Sequence, residues 1–183
     1  MNRLASPAQL RASFVRWALF MVPLVLLLGF ISGRVGGTAQ DPWFLALEKP
    51  DIFPAPALFG VVWPILYTLM GLAMAMVCAA WGSRYRTPAI LAFVLQLLVN
   101  LSWSPIFFAG HEITLALYVI IALDIFVLVT IVLFWKTRRA AALLLLPYIA
   151  WIGFATVLNY EFLRLNPGAD GQDVSAAVQR FEL

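Results

Sequence analysis

Residues 52–83 read IFPAPALFGVVWPILYTLMGLAMAMVCAAWGS and contain no charged side chain. A helix needs ~20 consecutive apolar residues to cross the hydrocarbon core of a bilayer, so this stretch is long enough for one crossing. Three other uncharged stretches have comparable length: residues 17–33, 87–110 and 140–160. A further stretch, residues 113–135, contains Asp124 as its single charge. The sequence therefore predicts five membrane crossings.

The composition supports a membrane protein, because 63% of the 183 residues are hydrophobic and only 11% are charged. Soluble domains carry about 25% charged residues. Inside a bilayer every backbone amide must be bonded internally, which restricts crossings to helices and closed barrels. These stretches lack the alternation of barrel strands. The expected fold class is therefore all-α, an integral membrane bundle of five transmembrane helices in contact with the lipid bilayer.

The chain divides into an N-terminal extension, 1–13, one membrane domain, 14–166, and a polar C-terminal tail, 167–183, which we expect to be mobile. Two prolines, Pro64 and Pro147, fall inside predicted helices and are expected to kink them. The longest connection is the loop 34–54, and long loops in compact folds are usually functional or disordered. The predicted helices are 14–32, 56–81, 88–108, 112–135 and 140–163.

Lysine and arginine are distributed unequally between the two sides of the predicted bundle. One side carries eight of them: Arg3, Arg11, Arg16, Arg84, Arg86, Lys136, Arg138 and Arg139. The other side carries four: Arg34, Lys49, Arg164 and Arg180. The positive-inside rule then places the N-terminus on the cytoplasmic side of the membrane. We expect that membrane to be the bacterial cell membrane, and the pattern leaves an outer-membrane location open. No basic cluster with interleaved aromatic residues indicates a nucleic-acid partner.

The first apolar stretch also has features of a signal peptide, since arginines precede it and small residues follow it up to Thr38-Ala39-Gln40. Its apolar run is long, and no sharp cleavage site follows it. We therefore interpret it as the first crossing.

Three predicted helices each carry an aromatic stripe with polar atoms among it, on one helical face. Any one stripe could be ordinary helix packing. Three together favour a pocket for a large, flat, mostly apolar ligand, because such pockets combine aromatic walls with a few polar contacts. The stripes are Trp63, Tyr67, Met70 and Met74; Gln96, Asn100, Trp103 and Phe107; and Tyr148, Trp151, Ala155 and Asn159.

Asp124 is the one charge within a crossing. A carboxylate at that depth is costly unless it is paired or neutral. We expect Asp124 to face inward and to be protonated or bonded to an amide, with a structural hydrogen bond to a Trp, Tyr or Asn as the simpler role. A proton relay is disfavoured, because no second ionisable group follows it along any helix.

Signals for metal binding and catalysis are weak. His111 and Glu112 form the one candidate pair, which offers too few ligands for zinc, and we expect both to be solvent-facing loop residues. Cys78 and the serines have no partnered base. The residues themselves therefore predict no metal site, no catalytic residue and no required cofactor.

Several short motifs, taken in order, resemble the tryptophan-rich sensory protein/translocator protein family (TspO, the peripheral benzodiazepine receptor). The resemblance covers about residues 29–166. The motifs that carry it are Lys49-Pro50, Trp63-x-x-x-Tyr67, Gln96-x-x-x-Asn100-x-x-Trp103 with Phe107-Phe108, and Pro147-Tyr148-x-x-Trp151 through Leu158-Asn159.

The resemblance implies a homodimeric membrane protein that binds tetrapyrroles such as protoporphyrin IX or haem-related compounds, and in animal members sterols and benzodiazepine-site drugs. It would act as a sensor, carrier or scavenger. The implied pocket lies under the loop 34–54 as a lid. Carried over by motif position, it is lined by Phe59, Gly60, Val62, Trp63, Asn100, Trp103, Phe107, Leu115, Trp151, Ala155 and Leu158.

The family's proposed sterol motif maps onto Leu158, Tyr160 and Arg164. That pattern is weak by itself, and a Tyr and an Arg that anchor a helix at the membrane interface are the alternative.

Two other functions stay open. One is light- and oxygen-dependent breakdown of porphyrin, with Trp63 and Trp151 as the candidate catalytic residues. The other is a structural or regulatory role in which the ligand is incidental.

This chain departs from the family pattern in three places. Asp51-Ile52-Phe53-Pro54-Ala55-Pro56 replaces an aromatic residue followed by Pro-Pro, so the lid is expected to sit differently. Leu115 replaces an aromatic residue of the pocket wall. Asp124 matches no family position.

Overall fold

The computed structural model describes residues 6–37 and 41–172, and these ranges contain helices and no strand. In the described chain the helices are α1 Pro7–Val35, α2 Pro42–Ala46, α3 Pro56–Cys78, α4 Arg86–Ser104, α5 Ile113–Thr137, α6 Arg139–Leu143 and α7 Leu146–Leu165. A π-helical turn, Pro105–Ala109, continues α4. Five segments are long and apolar enough to cross a membrane, with α6 and α7 forming the fifth. The prediction of an all-α bundle with five crossings is confirmed.

Helix α1 begins at Pro7, about two turns before the predicted start at residue 14. Its first turn is a capping box, in which the Ser6 hydroxyl accepts from the Gln9 amide at 3.2 Å and the Gln9 side chain accepts from the Ser6 amide at 2.9 Å. Pro7 occupies the first helical position, where its missing N–H costs nothing. Most of the predicted N-terminal extension is therefore helical, while residues 1–5 lie outside the described ranges.

The fifth crossing is interrupted next to Pro147, where a kink was expected, so the helix predicted over 140–163 consists of two helices. Helix α6 ends at Leu143, and α7 restarts at Leu146 with Pro147 in its first turn. Because Pro147 has no N–H, it cannot donate to the carbonyl of Leu143, and its ring crowds that carbonyl. Pro64 has a smaller effect, since α3 is helical from Pro56 to Cys78 around it.

The first loop is folded around the short helix α2. Asp41 caps its start by accepting from the Trp43 amide at 2.9 Å. Lys49 covers its other end, where its ammonium donates to the carbonyls of Phe44 and Leu47, the latter at 2.8 Å. Partial burial lowers the pKa of Lys49. Lys49 therefore caps the C-terminal end of α2 by bonding its carbonyl groups.

The loop is fastened to the chain that follows α7. The Glu48 amide donates to the Asn166 side chain at 2.7 Å, and the Asn166 amide group donates back to the Glu48 carbonyl at 3.0 Å. The Trp43 indole donates to the Ala169 carbonyl at 3.1 Å. The start of the predicted mobile tail is thus docked against the loop, whereas residues 173–183 lie outside the described ranges.

Helices α1 and α3 pack antiparallel at very short range, which two glycines permit. A Cβ on Gly71 would lie 2.7 Å from the Val22 Cα, and one on Gly29 would lie 2.1 Å from the Tyr67 ring. Elsewhere in the bundle α5 packs against α4 and α7. Towards the loop end the five crossings enclose a cavity.

Candidate functional site

A cavity of about 490 Å³ lies between the crossings, with the loop over one end. Its volume falls in the range of small-molecule pockets, ~300–1,000 Å³. Nine of the eleven residues that the sequence predicted for the pocket line it: Phe59, Gly60, Trp63, Asn100, Trp103, Phe107, Trp151, Ala155 and Leu158. The predicted aromatic stripes therefore converge on one space, while ligand binding by these residues stays a prediction.

The other two predicted residues, Val62 and Leu115, do not line the cavity. Val62 is half-buried against the helical core. Leu115 is 48% exposed. The residues of α5 that line the cavity are Ile120 and Leu123, and at ~100° per residue Leu115 points about 140° away from Ile120. Leu115 therefore lies outside the lining of this cavity, and its role in ligand binding stays a prediction.

An aromatic cluster joins the loop to the cavity wall. Phe44 of α2 contacts Phe107 with ring centroids 6.2 Å apart and Phe162 at 5.6 Å. Phe53 stacks on Phe59 at 5.8 Å. Phe107 in turn stacks on Trp103 at 5.0 Å. The sequence reasoning missed Phe44, Phe53 and Phe162, although the Phe residues of the otherwise polar loop were a signal that it packs onto the bundle.

The polar side chains of the wall are mostly bonded to each other. The Tyr67 hydroxyl donates to Asn100 Oδ1 at 3.0 Å. The Trp103 indole donates to Asn159 Oδ1 at 3.1 Å, and the Asn159 amide group donates to the Ile113 carbonyl at 3.1 Å. The indole N–H of Trp151 is buried and has no acceptor in the described chain. The cavity therefore presents mainly aromatic and aliphatic surface.

Helix α1 supplies one wall that the sequence reasoning did not predict. Five residues of α1 line the cavity, together with Gly37 just after the helix: Gly29, Phe30, Ser32, Gly33 and Arg34. The Ser32 hydroxyl donates to the Leu101 carbonyl at 2.6 Å and ties α1 to α4. The Gly29-x-x-x-Gly33 spacing, which is typical of close helix approach, was a partial signal, because another helix closely approaches Gly29 and not Gly33.

Asp124 lies beside the cavity, not in its lining. Its Oδ2 accepts a hydrogen bond at 2.8 Å from the Thr156 hydroxyl, so the predicted Trp, Tyr or Asn partner is wrong. Its Oδ1 is buried without a partner in the described residues. The Thr156 oxygen also lies 3.0 Å from the Ile152 carbonyl. The Thr156 hydroxyl has one hydrogen and two acceptors within reach; if Asp124 were protonated, its Oδ2 would donate to the Thr156 oxygen and leave the Thr156 hydrogen for the Ile152 carbonyl.

His111 is not the solvent-facing residue that the sequence predicted. Its ring stacks on Trp43 at 4.5 Å, its side chain is 14% exposed, and its Nε2 lies 3.7 Å from an oxygen of Asp41. Glu112, next to it, is exposed. His111 packs against the loop helix, where no group of three or more His, Cys, Asp or Glu in the described ranges could hold a metal ion.

The three residues of the sterol motif do not share a surface. Leu158 is 6% exposed and lines the cavity, whereas Tyr160 is 53% exposed on the outside of α7. Arg164 pairs with Glu161 at 2.6 Å. The geometry of Tyr160 and Arg164 matches the alternative of interfacial anchors.

Comparisons with known proteins agree with this architecture. The model of the TspO/MBR family matches residues 21–165. The tryptophan-rich protein TspO of Chlorobaculum tepidum is 35% identical over 80% of this chain and 93% of its own length. The protein of the same name from Archaeoglobus fulgidus is 37% identical over 78% and 92%. The human translocator protein is 34% identical over 70% and 78%.

Proposed function

Since this chain belongs to the TspO/MBR family, we propose that its cavity binds a tetrapyrrole such as protoporphyrin IX, and that this multi-pass membrane protein acts as a sensor, carrier or scavenger of it. The observation that carries the proposal is the convergence of three aromatic stripes on one cavity of about 490 Å³. Flat conjugated ligands stack on aromatic rings, and Trp63, Trp103 and Trp151 all line the space.

The expected driving force is burial of the flat apolar face. A ligand that buries ~300 Å² of apolar surface gains ~7 kcal/mol at ~25 cal/mol per Å². Ordering of ligand and side chains, and the competing solubility of the ligand in lipid, reduce that gain. Asn100, which lines the cavity and accepts from the Tyr67 hydroxyl at 3.0 Å, supplies an orienting polar contact.

The test is quenching of tryptophan fluorescence by protoporphyrin IX in lipid nanodiscs. Ala155→Phe fills the cavity and Trp151→Ala removes a wall, so both variants should weaken binding by about tenfold or more, the equivalent of ~1.4 kcal/mol. Ala150→Phe, on an exposed side of α7, and Trp135→Ala, half-exposed outside the cavity, are the matched controls. Unchanged affinity in both cavity variants would contradict the location of the site.

The second candidate is breakdown of porphyrin by light and oxygen, which the positions of Trp63 and Trp151 favour because both indoles face the same space. Illumination in air should bleach the porphyrin absorbance, and the Trp63→Phe, Trp151→Phe double variant should abolish bleaching while retaining bound porphyrin. Equal bleaching by the variant would rule out these residues.

The family also suggests sterols and benzodiazepine-site compounds as ligands, and we propose that they would compete for the same cavity. Displacement of protoporphyrin by each compound tests this. We further propose a homodimer in a bacterial cell membrane with the N-terminus in the cytoplasm; chemical crosslinking in native membranes, before and after dilution into detergent, tests the dimer.

A further inference from the structure

The cavity opens sideways between α1 and α3. Its lining residues are buried or half-buried on α4, α5, α7 and the loop. The exposed lining residues all belong to α1 and the first part of α3: Phe30, Gly33, Arg34, Pro56, Gly60 and Pro64. Phe30, at 60% exposure, belongs to a crossing, so this side of the cavity faces lipid. The mouth therefore connects the cavity to the bilayer.

Arg34 is the one charged residue among the described residues that line the cavity. It stands in the last turn of α1, where a crossing meets the membrane–water boundary. Its guanidinium lies over the Phe30 ring at 5.2 Å, and no carboxylate of the described chain pairs with it. Arg34 thus offers its forked donors at the mouth of the cavity.

The interior beyond Arg34 offers an anion few partners. Tyr67, Trp103 and Asn159 donate to protein acceptors. Among the described lining residues the indole N–H of Trp151 is left without an acceptor, and no cation other than Arg34 is present. Moving a carboxylate into such a space is costly. An amphiphilic acid would therefore insert its apolar body and leave its carboxylate at the mouth.

We propose that Arg34 is the anion-recognition residue of this cavity, and that it selects flat amphiphilic acids which enter from the bilayer between α1 and α3. The inference rests on the proposed function and narrows it to tetrapyrroles with free carboxylates. An arginine near a helix C-terminus also interacts favourably with the helix dipole and stabilises the helix. That stabilisation would be the same whichever ligand is bound. Discrimination between an acid and its neutral ester is the property that separates the two roles.

The test compares protoporphyrin IX with its dimethyl ester, which has the same ring and no charge, by fluorescence quenching in nanodiscs of neutral lipid. Arg34→Gln should weaken binding of the acid about five- to tenfold and leave the ester unchanged, since a charge-assisted contact at a half-exposed site is worth less than a buried one. Arg34→Lys should retain part of the preference. Added salt should weaken binding of the acid only.

Arg16→Gln is the matched control, because Arg16 is exposed on the same helix about 27 Å from Arg34 at 1.5 Å per residue. Equal loss of acid and ester in Arg34→Gln, or no loss of either, would overturn the inference and leave the proposed function standing. Failure of both ligands to bind the native protein would overturn the proposed function and the inference with it.

The route through the mouth has its own test in the rate of association. A Cβ on Gly33 meets nothing within 4 Å, so Gly33→Leu should fold and narrow the mouth. Gly153 of α7 has equally open surroundings but does not line the cavity, which makes Gly153→Leu the control. We expect slower association of both porphyrins with Gly33→Leu alone. Equal rates in the two variants would overturn the lateral route.

Discussion

Gly29 decides how closely α1 approaches α3, and through that contact it holds the cavity wall. A Cβ there would lie 2.1 Å from Cε2 of Tyr67, whose hydroxyl reaches Asn100. Gly29→Ala should therefore push the ring away and destabilise the fold by ~1–3 kcal/mol, as overpacking does. Thermal unfolding in nanodiscs measures this. Gly33→Ala is the control, and an equal melting temperature in both variants would contradict the proposed packing.

The Asp124–Thr156 pair can be separated by two substitutions. Thr156→Val removes the partner at 2.8 Å and leaves a polar group in the membrane unsatisfied, which costs ~1–3 kcal/mol. Asp124→Asn keeps a donor for Thr156 and should cost less. A protonated Asp124 also predicts a carboxylic-acid band in the infrared spectrum at neutral pH that Asp124→Asn lacks. Absence of that band from the native protein would show that the side chain is ionised.

At the scale of elements, α2 is held over the cavity by contacts at both of its ends. Trp43 donates to Ala169 at 3.1 Å and stacks on His111. Trp43→Phe keeps an aromatic ring but loses the hydrogen bond, so amide hydrogen exchange in residues 41–50 should speed up by about fivefold, in keeping with ~1 kcal/mol per bond. The control is Trp81→Phe, at an exposed position in the loop after α3, which should leave that exchange unchanged. Unaltered exchange in Trp43→Phe would assign the docking of α2 to Phe44 instead.

The helices could be predicted more reliably than their ends and interruptions. Absence of charge over about 20 residues defines a crossing by itself. The start of α1 at Pro7 and the break before Pro147 depend on single residues, Ser6 and Pro147, whose effects could have been deduced from capping and proline rules. Leu115 shows a different limit, because it was taken from the family pattern at a position where this chain departs from it, and here it is 48% exposed and outside the lining.

For the whole molecule, the five crossings and three of the cavity walls followed from hydropathy and helical periodicity. The wall from α1 did not, because Gly29-x-x-x-Gly33 indicates close approach without naming the helix that approaches. Phe44 and Phe162 escaped prediction for the same reason: they meet only after the loop folds back onto the end of α7. Long-range contacts of that kind leave no periodic pattern in the sequence.

The proposed orientation can be tested with single cysteines, since the native Cys78 is 1% exposed and should stay unlabelled. Glu48→Cys in the first loop and Ser83→Cys in the second loop lie on opposite sides of the membrane. A membrane-impermeant thiol reagent should label Glu48→Cys in intact spheroplasts and Ser83→Cys only after permeabilisation. The reverse pattern would invert the topology.

The paired hydrogen bonds between Glu48 and Asn166 couple the segment after α7 mechanically to the first loop. Tension applied beyond residue 172 would pass through Asn166 and Ala169 directly to α2. An affinity tag or reporter fused directly after residue 172 would lie on the loop side of the five crossings and pull on α2, whereas the same fusion at the N-terminal end of α1 would lie on the opposite side. Binding measured on the two fusions should therefore differ, and the N-terminal fusion is the one that leaves α2 unstressed.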